Sequence, residues 1–163
     1  MTKSRKRFLF FFTLITALSL IISSAAAAPK DGPVVTLSTA QTEFTASQEV
    51  LVTVAISNPT KHSVRILKWF TPSDGIEEPV FSVKKEGMPV AYDGALYKRL
   101  PATGNDYLTL KSGETLTYTV NLGDLYDLSS SGQYEIFYDA ASLYLYDEKG
   151  NSSNNIDQLT SDP

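Results

Sequence analysis

The residues able to do chemistry in this chain are few, and their spacing decides most of what can be asked of them. There is no Cys and a single His, His62, which follows Asn58-Pro59-Thr60-Lys61 in a turn-forming stretch. A zinc hydrolase needs two or three imidazoles or an HExxH helix, and neither is present. A serine triad would have to use His62, yet no Gly-x-Ser-x-Gly elbow occurs. Two carboxylates can hydrolyse glycosides without His, so Glu77-Glu78 and Asp147-Glu148 need weighing. Neighbours on an extended chain point to opposite faces, so neither pair is expected to form a facing acid and base. Asp124 and Asp127 lack the acidic density of a calcium loop. The expectation is a chain with no catalytic residue, no metal site and no cofactor.

Two other groups of side chains could bind a partner. Lys68-Trp69-Phe70-Thr71-Pro72 holds the single Trp at a strand end, before a Pro-containing turn. Trp69 either plugs the core or, with Phe70, projects as an anchor, since aromatic and Arg side chains dominate interface energy. Lys98-Arg99 is a basic pair inside a long irregular stretch; it is either simply solvated or a second contact point. Trp69, Phe70, Lys98 and Arg99 are therefore the candidate partner-binding residues.

These side chains must be positioned by a small exported domain. Lys3, Arg5, Lys6 and Arg7 precede an apolar run from Phe8 to Ile22 and a small-residue exit, Ala25-Ala26-Ala27. That order reads as a secretory signal over residues 1–27, the run being shorter than the ~20 residues of a membrane span. No stable membrane anchor is expected after its removal, and the destination is secreted or periplasmic. Losing those four cations takes the formal charge from −4 to −8. An acidic surface repels phosphate, so nucleic acid is not an expected partner. Roughly 135 residues remain, enough for one core and too few for two.

Period-2 patterns dominate the chain beyond that signal. Val50, Val52, Val54 and Ile56 share one face of the strongest run. Val34–Ser38, Ser63–Trp69, Val80–Lys84, Met88–Tyr92, Tyr107–Leu110, Thr115–Leu122 and Gln133–Tyr138 are further strand candidates. Gly87 is expected to supply a positive φ in the hairpin turn, and Thr117 and Thr119 a wet face. Seven or eight short strands without an amphipathic helix predict an all-β, immunoglobulin-like antiparallel β-sandwich over residues 28–148. Gly132-Gln133-Tyr134-Glu135-Ile136 followed by Tyr138 resembles the late strand of immunoglobulin-type sandwiches, where an aromatic near the strand start hydrogen-bonds back across a corner. Residues 149–163 read as a polar loop or frayed tail.

One block is more specific than a strand pattern: Leu67-Lys68-Trp69-Phe70-Thr71-Pro72-Ser73-Asp74-Gly75. With Asn58-Pro59-Thr60, Phe81-Ser82-Val83, Pro89–Gly94, Lys98-Arg99, Asp106-Tyr107, Gly113-Glu114, Tyr126–Ser129, Gly132, Tyr134 and Tyr138, it resembles the N-terminal pro-domain of bacterial deuterolysin-like (aspzincin) zinc metalloendopeptidases, including the lysine-specific ones. The resemblance implies a propeptide role: helping such a protease fold and restraining it until cleavage. It implies a zinc metallopeptidase as partner, with Lys98 as a substrate mimic for a lysine-seeking cleft. The catalytic motif of that family is not in this sequence. Leu159–Pro163 resembles the entry to a last edge strand, so the sandwich is expected to lack that strand and leave an edge open. Two alternatives stay open: a truncated N-terminal fragment with no activity of its own, and a general extracytoplasmic protein-binding module.

Overall fold

The computed structural model of the chain describes residues 32–143 and 157–161; the signal expected over 1–27 and the pair Asp147-Glu148 lie outside them. Nine strands form among the described residues: β1 Val34–Thr39, β2 Leu51–Ser57, β3 Val64–Leu67, β4 Phe81–Lys85, β5 Met88–Pro89, β6 Tyr107–Leu110, β7 Thr115–Asn121, β8 Tyr134–Leu143 and β9 Asp157–Thr160. They assemble as β1-β2-β7, a β3-β6 ribbon and β5-β4-β8-β9. Every strand pair is antiparallel. The domain is an all-β sandwich, and β1 lies against β8 and β9 across one shared core.

Alternation explains which faces meet. Val52, Val54 and Ile56 of β2 are buried, and they face Val120, Tyr118 and Leu116 of β7 in register. Thr117 and Thr119 are exposed on the other face of β7, as their polarity requires. Val35 joins from β1, Phe81 and Val83 from β4, Tyr138 and Ala140 from β8. Burying each such aliphatic side chain stabilises the fold by about 1.5–3 kcal/mol.

The β2-β7 and β3-β6 ladders are consecutive. Ser57 pairs with Thr115, and Val64 with Leu110, so the chain leaves one ladder and enters the next through two neighbouring turns. Asn58 joins those turns. Its backbone N–H donates to Glu114 O at 2.9 Å, and its own carbonyl accepts from Gly113 N at 2.8 Å. The side-chain Nδ2 donates to His62 O at 2.8 Å and Leu110 O at 3.0 Å. Oδ1 accepts from the N–H and hydroxyl of Thr60. Asn58 is 1% exposed, and both hydrogens and both lone pairs of its amide are used. His62 contributes its carbonyl to this network and leaves its imidazole in solvent.

The β4-β5 hairpin turns through Glu86 (φ 49°) and Gly87 (φ 77°), the two positive values of a type I′ turn. Glu86 tolerates its conformation while fastened to β8: its N–H donates to Gln133 O, and its carboxylate accepts from Gln133 N. β5 stops at Pro89 and does not run to Tyr92 as the pattern suggests. Pro cannot donate to a ladder, and the chain leaves the edge to bridge Tyr92 with Tyr126.

The C-terminal segment corrects the reading of residues 149–163 as a loop or frayed tail. β9 pairs with β8 through Asp139↔Thr160 and Ala140↔Leu159, and Leu159 is 1% exposed. Ser161 fastens both sides of Tyr138: its hydroxyl accepts from Tyr138 N and its N–H donates to Tyr138 O. The expected open edge beside β8 is therefore filled by the residues read as the entry to a missing strand. One apolar residue among polar neighbours gives little periodicity, so β9 is specified by the hole that Leu159 fills.

Replacing Asn58 by Ala leaves the buried Leu110 carbonyl without this donor and is expected to cost about 1–3 kcal/mol, read as a lowered urea midpoint. Burial pushes the Tyr126 hydroxyl up to about 12 and the Tyr138 hydroxyl up further. Both stay neutral in the fold at pH values where the unfolded chain ionises, so their contribution is complete below about pH 10 and is lost above it. Urea midpoints should fall from pH 10 towards 12, with a flatter slope in Tyr126→Phe.

Candidate functional site

Trp69 sits in a single 3-10 turn, Lys68–Phe70, that ends β3. The residues after it explain the turn. The buried hydroxyl of Thr71 donates to Lys68 O at 2.8 Å and receives the N–H of Ser73. Pro72 is buried behind it, Asp74 reaches Lys68 at 3.9 Å, and Gly75 takes φ 95°. The Lys-Trp-Phe-Thr-Pro-Ser-Asp-Gly block thus has a local structural task at most of its positions.

Two tyrosines lock this region to the sandwich. Tyr138, fully buried and stacked edge-on against Phe81 at 5.3 Å, donates its hydroxyl to Phe70 O at 2.6 Å. Tyr126 donates to Phe81 O and meets Tyr92 edge-on at 5.6 Å. The sequence pattern places Tyr126 in a short turn; its buried hydroxyl is a core tie instead.

Arg99 reaches this platform from the long connection between β5 and β6. Its guanidinium lies over the Trp69 ring at 4.6 Å and beside the Tyr97 ring at 5.3 Å. Nη2 pairs with Glu77 at 2.5 Å and Nε with Glu78 at 3.4 Å. The expectation that Glu77 and Glu78 point apart is corrected here. They precede β4 in irregular backbone, where strand alternation does not apply, and both turn onto one cation. A planar guanidinium can take two carboxylates along its edge and an indole on its face at once.

Of the four residues singled out from sequence, two meet: Trp69 and Arg99. Phe70 is half-buried against the core and is held through its carbonyl. Lys98 is exposed and makes no ion pair with any described residue. Leu96, Tyr97 and Leu100 stand beside it, 73%, 54% and 86% exposed. Sequence reasoning passes over these three, because isolated apolar residues in a loop carry no periodicity to mark them.

Three further carboxylates are committed locally. Asp106 accepts from the N–H and hydroxyl of Thr103, which hold its carboxyl below the usual range. Asp127 is lowered likewise by the hydroxyl and N–H of Ser129, and Asp124 accepts from Asn121. Among the described residues no three His, Asp or Glu side chains gather as a metal site would require. Nor is any helix among them long and apolar enough to cross a membrane.

An antiparallel β-sandwich carrying a latched surface loop is the class of domain these observations define. No family model matches the chain. An extracellular protease of Aeromonas hydrophila is 40% identical to it over 92 residues, covering 56% of this chain and 26% of that protein. The matched stretch thus spans about a quarter of the relative, and the chain holds a protease-related domain.

Trp69 is the single Trp, so its emission reports the latch directly. Arg99→Ala should shift that emission and quicken proteolysis at residues 95–101. The stability cost should stay near 1 kcal/mol, because the pair is partly solvated.

Proposed function

We propose that this chain is an extracytoplasmic, non-catalytic domain of pro-domain type that binds a deuterolysin-like zinc metallopeptidase and restrains it or assists its folding. The observation that carries this reading is the match to one quarter of an extracellular protease by a domain in which Glu77, Glu78, Asp106 and Asp127 are engaged in structural bonds. A leader of basic, apolar and small residues supports export of the domain to where such a protease works. The Tyr134 hydroxyl donates to Ser130 O at 2.8 Å, four residues upstream. That contact has the form of a tyrosine corner and favours an immunoglobulin-like sandwich.

Restraint of this kind is steric. A rigid domain covers the cleft, and a few anchors carry the binding energy. Trp69 and Arg99 act from beneath the surface in this reading, as positioning residues for the loop, while Lys98 belongs to the contact surface. The zinc belongs to the partner, and no cofactor is assigned to this chain.

The test is a titration of the secreted chain against the Aeromonas hydrophila extracellular protease, followed by peptide hydrolysis. Dose-dependent loss of hydrolysis, or a higher yield when the denatured protease is refolded with the chain, is the expected result. Undiminished hydrolysis and unchanged refolding at about 10 µM chain would remove the reading, since a Kd near 1 µM already corresponds to about −8 kcal/mol.

A further inference from the structure

Resting on that reading, we propose that residues Leu96–Leu100 are the docking element and enter the substrate cleft of an extracellular endopeptidase as an extended strand. Arg99 is turned back into the domain as its anchor. Leu96, Lys98 and Leu100 face the partner, while the Tyr97 ring lies beside Arg99.

The first support is where exposed apolar surface lies. Among the described residues five large hydrophobic side chains are exposed, and three of them fall within these five positions. Single exposed apolar residues are ordinary. A cluster of them on one loop of an acidic domain is a contact surface.

The second support is how firmly the loop is held. On its N-terminal side Asp93 N donates to Leu125 O at 2.8 Å, and the Tyr92 hydroxyl donates to Ala95 O at 3.3 Å. In its centre Arg99 is clamped by Glu77, Glu78 and Trp69. On its C-terminal side the Thr103–Asp106 capping box closes a 3-10 turn, and Arg65 Nη2 donates to Gly104 O at 3.2 Å. A segment pinned at three points loses little further freedom on binding, which is the main benefit of preorganisation.

The third support is the backbone itself. From Leu96 to Leu100 no backbone N–H or C=O bonds to another described residue. Pro101 restricts Leu100 to extended conformations. Such a segment can pair with a cleft that binds extended peptide, with side-chain pockets reading alternate positions. Charge narrows the occupant. Two carboxylates neutralise Arg99, so Lys98 is the loop's one uncommitted cation and suits a cleft with an acidic pocket.

The experiment uses the full secreted chain and the Aeromonas hydrophila extracellular protease, with inhibition measured at several peptide concentrations. The wild-type chain should inhibit competitively. Leu96→Ser combined with Leu100→Ser should raise the inhibition constant at least about tenfold, as loss of a central anchor does, with an unchanged thermal midpoint. Arg99→Lys should weaken inhibition less, and Met88→Ser, an exposed apolar control on the β4-β5 turn, should leave it within about twofold. Inhibition that the double variant retains in full would overturn the loop assignment and leave the proposed function standing. Noncompetitive inhibition, or self-association of the chain abolished by the same variant, would overturn the cleft as occupant. Absence of any inhibition or refolding effect by the wild type would remove both readings together.

Discussion

The amide of Asn58 sets the geometry on which the rest of this domain depends. Two ladders, β2-β7 and β3-β6, meet at a pair of turns, and the backbone and buried side chain of one residue bond across them. The Asn58 amide is itself cut off from water, so it must use every donor and acceptor it has. A hydrophobic residue would fill the volume and leave the buried Leu110 carbonyl without its side-chain donor. Ser or Asp would supply too few donors. The corner therefore selects Asn, and through it the position of β3 and of the turn that carries Trp69.

From that corner, order passes outward through tyrosines. Tyr138 and Tyr126 bury aromatic rings in the core and spend their hydroxyls on carbonyls of Phe70 and Phe81. A buried hydroxyl needs a partner, and here the partner is backbone at the margin of a strand. The rings thus tie irregular segments to the sandwich without a disulfide. Arg99 extends the same logic to the surface, where a cation shared between two carboxylates and an indole holds a loop that has no ladder of its own.

The functional consequence is a division of labour among the side chains of this region. Trp69 and Arg99 face each other and are half-enclosed, so their energy goes into shaping the loop. The outward residues are Leu96, Lys98 and Leu100. The domain is related to a quarter of an extracellular protease and carries an exposed loop anchored at its centre by Arg99.

Local pattern alone determined the all-β class, the face of β2, the wet face of β7, the Gly87 turn and the scarcity of catalytic residue types. Each is set by side-chain alternation, turn chemistry or composition, which neighbours along the chain decide. Tertiary structure decided the rest. Glu77 and Glu78 converge because they lie outside a strand, Asn58 and Tyr126 are buried because distant turns close over them, and β9 forms because Leu159 has a place in the core. Those outcomes depend on contacts between residues some 20 to 70 positions apart. Periodicity cannot report such contacts, since it describes what one segment offers and never which segment will receive it.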